Sequence, residues 1–576
     1  MAVSTRKTNQ LSSVEPKPAA ENISDHQAQN QVPPLTGYNL FLSDRTLVKA
    51  VDREGAAWAS EQISEVGRLL GTDEVQCWGF DANENTPVLH THDRYGNRRD
   101  EVVFHPSWHQ LMRTSIEHRL HSLPWVEKRK GAHVARAALM MLTAQNEAGH
   151  TCPISMTFSA IAALRAEADL AREWEPQILS SVYDPKFLPT TEKAGVLIGM
   201  GMTEKQGGSD VRANITRAER LGSSRDYLIT GHKWFCSAPM CDAFLVLAQA
   251  AKGLSCFLLP RWAPTGERNK FHIQRLKDKL GNRSNASSEV EFDQAWAHLV
   301  GEEGRGVQTI IEMVNHTRLD CAIAAAALMR QALVQAVHHA SHRRTFGKLL
   351  LEQPLMRNVL ADLALESEAA TLLMVRLASS FDARDGNDRE RAFCRIATAI
   401  AKYWLCKRTP VQVGEALECL GGNGYVEESI MPRLYREAPL YSIWEGSGNV
   451  ICLDVLRALA KEPATGEALI QELKSTAGAD KRLDDYVPGI QKQLSDQTSN
   501  ASRHGIVEYS ARELTEKLAL ALQASLMVRY GLPDFAEAFI ASRLACQHGK
   551  SFGTLPASVN TDRILESVAD PLSAER

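Results

Sequence analysis

Hydrophobic positions change rhythm three times along the chain. From about residue 35 to 190 they recur mostly at helical spacing, most clearly over 134–145, where alanines and larger apolar residues return every three or four positions. A polar insert at 79–100 breaks this pattern and predicts a loop or a short hairpin. From about 195 to 300 the chain shifts to short apolar runs at 227–230, 234–236, 244–248, 256–259 and 290–292. Gly231, Pro239, Gly253, Pro260 and Gly281-Asn282 punctuate them, which predicts strands of a small antiparallel β-domain. Helical spacing returns at Gly306, with alanine-rich amphipathic segments at 322–339 and 359–378. The last segment, from about 462, is helical and more polar, clearest at 514–528. The expected fold class is therefore α+β, in the order helical, β, helical, with a C-terminal helical extension. The expected boundaries are a disordered tail at 1–33, an N-terminal helical domain at 34–194, the β-domain at 195–303, a helical domain at 304–460 and the extension at 461–576.

Composition narrows this without changing it. Among 576 residues, 44% are hydrophobic and 23% charged, which excludes a mainly disordered, collagen-like or coiled-coil chain. The longest nearly apolar stretch, 321–329, is far short of the roughly 20 residues that span a bilayer, so no transmembrane helix is expected. The first 33 residues have neither the apolar core of a secretory signal nor the Arg-rich bias of a transit peptide. Eleven cysteines without a CxxC pair read as reduced, buried thiols, which predicts a cytoplasmic protein and no zinc site. His90-Thr-His92-Asp93 lacks a third ligand at a recognised spacing, so no metal is expected. The net charge of -4 gives no overall attraction to nucleic acid.

Three segments could carry chemistry. Gly199–Asp210 contains glycines with the Thr203 and Ser209 hydroxyls, suited either to an anion or cofactor ring or to a plain structural turn. Arg343-Arg-Thr-Phe-Gly-Lys348 follows a helix and suits either a pyrophosphate or the helix's own dipole. In Leu-Tyr-Ser-Ile-Trp-Glu-Gly-Ser-Gly-Asn449, Glu445 sits among bulky apolar residues, where desolvation raises a carboxyl toward the range of a neutral-pH general base.

The order of these segments resembles the acyl-CoA dehydrogenase family. The chain runs Thr-Glu-x-x-x-Gly-Ser-Asp, then Gly-x-Lys-aromatic, Arg-x-Thr-Phe-Gly, Gly-Gly-x-Gly-Tyr and Glu-Gly-Ser, from about residue 134 to 459. The longer motifs at 202–210, 276–286 and 443–449 are similar to the AidB subfamily, flavoproteins of the alkylation response. The resemblance implies an FAD-dependent homotetramer with weak dehydrogenation of short acyl-CoA substrates and duplex DNA binding through the extension. An ordinary metabolic acyl-CoA dehydrogenase, whose extension serves assembly only, is the alternative. No membrane partner is expected.

Residue by residue, the resemblance makes Glu445 the catalytic base and Arg318 an active-site arginine. Met202 and Thr203 would face the flavin ring, with Ser209 toward the pyrophosphate and Phe235, Cys236 and Ser237 against the isoalloxazine. Trp444, Gly446, Ser447 and Asn449 would complete that side. Arg343, Thr345 and Phe346, with Gly421, Gly422 and Gly424, would reach the FAD of a neighbouring subunit. The chain departs from the usual pattern at Lys205-Gln206, at Phe235-Cys236-Ser237 and at Glu418. The extension carries 13 Lys/Arg against 16 Asp/Glu, a local charge of -3, so DNA binding requires Arg512, Arg529 and Arg543 to share one basic face.

Overall fold

The computed structural model describes residues 29–499 and 508–573. The N-terminal helical domain holds α1 (Arg45–Arg53), α2 (Ser60–Leu70), α3 (Asp73–Glu84), α4 (Pro106–Glu117), α5 (Leu123–Val126), α6 (Ala132–Asn146), α7 (Thr151–Leu164) and α8 (Ala168–Ile178). Helix α6 is buried all round, from Val134 through Asn146, because its side chains meet other helices on every face. The polar insert folds as the end of α3 and a hairpin of β1 (Val88–His92) and β2 (Arg98–Val103).

The β-domain has seven strands: β3 (Ile198–Gly201), β4 (Arg217–Arg220), β5 (Asp226–Ser237), β6 (Ala243–Ala250), β7 (Gly253–Pro260), β8 (Phe271–Leu276) and β9 (Ser287–Val300). Pairings β6–β7, β7–β9, β9–β5 and β5–β4 are antiparallel, and Arg217 opposite Gln249 closes β4 back onto β6 as a barrel. The expected wholly antiparallel sheet is corrected here, since β3 and β4 both run parallel to β6. They can do so because long connections separate them from β6, whereas parallel neighbours cannot be joined by a tight hairpin.

The second helical domain is built on α9 (Gly306–His342), α10 (Pro354–Ala383), α11 (Asp388–Cys419), α12 (Met431–Glu437) and α13 (Gly448–Lys461). Helix α9 is apolar and long enough to cross a membrane, yet the apolar window is 94% buried among its neighbours, as a bundle core helix should be. It runs parallel to α11: Cys406 Sγ, Thr409 Oγ1 and Gln412 Nε2 donate to the carbonyls of Cys321, Ala325 and Met329 in turn. The expected tail to residue 33 is also corrected. Residues 1–28 lie outside the described residues, but Asn30 bonds the backbone of Arg344, and the Pro33 carbonyl faces His338 Nε2 at 2.8 Å.

The extension comprises α14 (Pro463–Lys474), α15 (Lys481–Ser499), α16 (Ala511–Tyr530), α17 (Pro533–Phe539) and α18 (Thr561–Ser567). It is fastened to the bundle of its own chain. Trp404 Nε1 donates to Gln523 Oε1 at 2.8 Å, and Arg376 and Arg529 both hold Glu472. The expected basic face is not formed. Arg543 has an 8% exposed side chain, bonded to Asp362 at 2.5 Å and Glu366 at 3.2 Å. Arg529 is committed to Glu472 at 2.6 Å, and Arg512 donates to Asn449 of the chemistry-bearing loop at 2.8 Å. Arg543 and Arg529 gain more from desolvated carboxylates nearby than from water, whereas Arg512 remains exposed.

Candidate active site

The loop between α12 and α13 carries Glu445 in a left-handed backbone conformation, φ 57°, followed by Gly446 at φ 104°. A non-glycine residue there costs about 1–3 kcal/mol and persists only when its surroundings hold it. Two buried cations do so. Arg318 of α9 donates from Nε to the Glu445 carbonyl at 3.1 Å, and Lys402 of α11 donates from Nζ to the Gly446 carbonyl at 2.5 Å. Asp454 of α13 fixes Arg318 in turn, at 2.8 Å, and is itself gripped by Arg395 at 2.9 Å. Arg318 thus supports the loop backbone; it makes no ion pair with the Glu445 carboxylate.

The Glu445 residue is only partly covered, but its Oε2 is shut off from solvent and has no hydrogen-bond partner among the described residues. Burial raises its pKa above the ordinary glutamate value, and Thr317, Arg318 and Lys402 oppose that rise without cancelling it. Such a carboxylate is poised to take a proton from a bound molecule.

The barrel supplies the other wall. Phe235 on β5 is 52% exposed, Ser237 lies on the same face and bonds Ser287 at 3.3 Å, and Lys277 Nζ lies 4.7 Å from the Phe235 ring centre. Cys236 is corrected: its side chain is 0% exposed inside the barrel, because neighbouring residues of a strand point to opposite faces. The Met202-Thr203 segment is pinned at the barrel mouth, with Asn214 Nδ2 donating to the Met202 carbonyl and Trp234 N to that of Thr203. Beneath it, Glu204 and Lys233 form a wholly buried ion pair at 2.8 Å. Burial alone would raise the Glu204 pKa, but Lys233 and the surrounding donors bring it down to about 2. Ser209 is exposed in the turn that follows.

The remaining residues lie elsewhere. Arg343 caps the far end of α9, and Thr345 and Phe346 belong to a ribbon of β10 (Arg344–Thr345) and β11 (Lys348–Leu349). Phe346 sits at its tip with φ 52° and 95% exposure. The Gly421–Gly424 turn ends α11, which runs parallel to α9, and so lies at the same end as Arg343. A Cβ at Gly421 or Gly422 would meet no atom within 4 Å, leaving open space over the turn. His90 and His92 stand on the β1 hairpin; the one described group with metal-ligating geometry is His338, His342 and Asp570, where Asp570 already faces both rings.

Sequence reasoning missed Lys402, Asp454 and the Glu204–Lys233 pair. Both members of that pair stand in motifs already singled out, so an inward-facing lysine on a strand was the available signal. Nothing local marks Lys402 or Asp454, whose partners lie 44 and 136 residues away.

A barrel wall bearing an exposed aromatic ring and a dry carboxylate on a strained loop define a flavin-type oxidoreductase site, and the open glycine turn stands apart from them at the Arg343 end of the bundle. Residues 199–295 match the acyl-CoA dehydrogenase middle domain and residues 304–460 its C-terminal domain, while 30–185 match the domain described as the adaptive response protein AidB N-terminal domain. The chain belongs to the acyl-CoA dehydrogenase family, in its AidB branch, and is an FAD-dependent oxidoreductase. It is 48% identical over 526 residues to AidB of Escherichia coli (strain K12), covering 91% of this chain and 95% of that one. Acyl-CoA dehydrogenase family member 11 of Caenorhabditis elegans is 29% identical, covering 88% of this chain and 86% of that one. The structure of Caenorhabditis elegans ACDH-11 in complex with C11-CoA superposes with a TM-score of 0.81 at 26% identity, over 93% of this chain and 96% of that one.

The donor set fits FAD. Phe235 and Ser237 offer a flat, partly polar face to a flavin ring, and Gly421 and Gly422 leave room for a dinucleotide to lie against backbone. When bound, FAD supplies the two-electron acceptor.

Proposed function

We propose that the protein dehydrogenates a short acyl-CoA, with Glu445 taking the α-proton. The observation that carries this is the buried, unpartnered Glu445 Oε2 on a strained loop held by Arg318 and Lys402. The likeness to ACDH-11, solved with C11-CoA, supports an acyl-CoA as the substrate class. The test is reduction of the bound flavin by short acyl-CoA thioesters, followed in wild type and Glu445→Gln. A wild type whose flavin no acyl-CoA reduces would discard the reading.

Assembly follows from distance. Arg318 and Arg343 lie on one helix 25 positions apart, roughly 37 Å at 1.5 Å per residue. A dinucleotide at the Phe235 face of one subunit would therefore meet Arg343 and the Gly421–Gly424 turn of another. Phe346, Leu355 and Tyr425, exposed by 95%, 83% and 80%, form apolar surface that a second copy would cover. A dihedral tetramer is the assembly we infer. Phe346→Asp should dissociate it and release FAD, as read by light scattering and the flavin absorbance together. A monomer with full flavin content would overturn this.

Duplex DNA binding and a place in the alkylation response rest on the resemblance of the motifs at 202–210, 276–286 and 443–449 to the AidB subfamily. With Arg512, Arg529 and Arg543 committed elsewhere, phosphate contacts would fall to exposed residues such as Lys474 and Lys550. Retention on duplex DNA should then weaken with salt by a slope of about -0.9 per neutralised phosphate. Salt-insensitive or undetectable retention leaves the metabolic alternative. The nine buried free cysteines support a reducing, cytoplasmic setting.

A further inference from the structure

The strained loop has a third anchor. Arg318 and Lys402 hold its beginning, through the carbonyls of Glu445 and Gly446. Its other end is held by Arg512, whose Nε donates to Asn449 Oδ1 at 2.8 Å across 63 residues of sequence. Arg512 stands in the first turn of α16, in the extension, beyond the end of the matched dehydrogenase domain at residue 460. One of its terminal nitrogens, Nη2, lies 3.5 Å from where a Cβ on Gly448 would stand, with the Lys407 stem at 2.9 Å from the same point. The guanidinium therefore lies in van der Waals range of the start of α13, where the Lys407 stem is what a side chain on Gly448 would crowd.

The contact is specific in chemistry. Asn449 is exposed, and its amide would swing freely without a partner; the guanidinium donates to its oxygen and leaves its NH₂ free to face outward. Among the described residues Arg512 makes no ion pair, and its hydrogen bond goes to Asn449.

We propose that Arg512 is a positioning residue, through which the C-terminal extension fixes Asn449 and with it the cofactor side of the catalytic loop. This rests on the reading of Glu445 to Asn449 as the loop that carries the base and meets FAD. The extension would then be part of the oxidoreductase itself, and would explain why an acidic segment is fastened so thoroughly to its own bundle.

The test is a double-mutant cycle on the full-length protein with Arg512→Ala, Asn449→Ala and the pair, reading FAD affinity by flavin fluorescence alongside kcat and the melting temperature of the apoprotein. Arg512→Ala should weaken FAD binding about tenfold, the size of one lost hydrogen bond to a charged group. The pair should be no worse than either single change. Arg512→Lys should recover part of the loss, and the apoprotein melting temperature should be unchanged, because the side chain is exposed. Additive losses, or FAD affinity equal to wild type in Arg512→Ala, would overturn the inference. A wild type without flavin absorbance would instead remove the reading on which it rests.

Discussion

Glu445→Gln is expected to reduce acyl-CoA dehydrogenation by about 10²–10⁴-fold, the usual contribution of a positioned general base. Flavin content should stay at the wild-type level. The amide keeps the shape of the carboxyl and the backbone carbonyl that Arg318 holds, but it cannot accept the α-proton. The loss should appear in both kcat and kcat/KM. In the wild type the rate should rise with pH as Glu445 ionises, along a limb above the ordinary glutamate value because burial raises its pKa. The variant should lose that limb. Stability moves the other way. A carboxyl whose folded pKa exceeds its unfolded one makes the folded state lose stability as pH rises through that range. Glu445→Gln should therefore melt higher than wild type at neutral pH. Flavin reduction at the wild-type rate in the variant would reassign the base.

Arg543→Ala should destabilise the protein by about 3–5 kcal/mol, the cost of leaving one side of a buried ion pair behind. Asp362 and Glu366 would remain with side chains 2% and 3% exposed, and Arg408 would be left as the one cation on Glu366. Burial would push Glu366 up, but Arg408 and Arg543 hold it at about 2. Because that folded pKa lies below the unfolded one, the pair contributes stability above roughly pH 4.3, lost as pH falls toward 2. Denaturant unfolding across that window should show a steeper acid loss in wild type than in the variant. An unchanged unfolding midpoint would return Arg543 to the surface and to the candidates for phosphate contact.

The catalytic loop was legible because its signal is local. Glu445 between bulky residues and glycines reads the same in one dimension as in three. The strands of β5, β6, β7 and β9 were legible for the same reason: short apolar runs between turn residues have few other ways to fold. Cys236 shows where motif reading outran geometry, since three consecutive strand residues cannot share one face. The parallel pairing of β3 and β4 with β6 leaves no mark on either segment.

The amino-acid sequence by itself determined the order of helical and β domains, the candidate base and the aromatic and glycine-rich pieces of the site. These depend on periodicity, turn chemistry and contiguous motifs, all of which act over a few residues. Tertiary structure alone decided which charges meet. Lys402 reaches Gly446, Arg318 reaches Asp454, Arg543 turns inward to Asp362, and Arg512 reaches across the surface to Asn449. Charge counting treats every arginine of the extension alike; desolvation does not. A guanidinium that helix packing brings beside a buried carboxylate is held there, and only packing says which one that is.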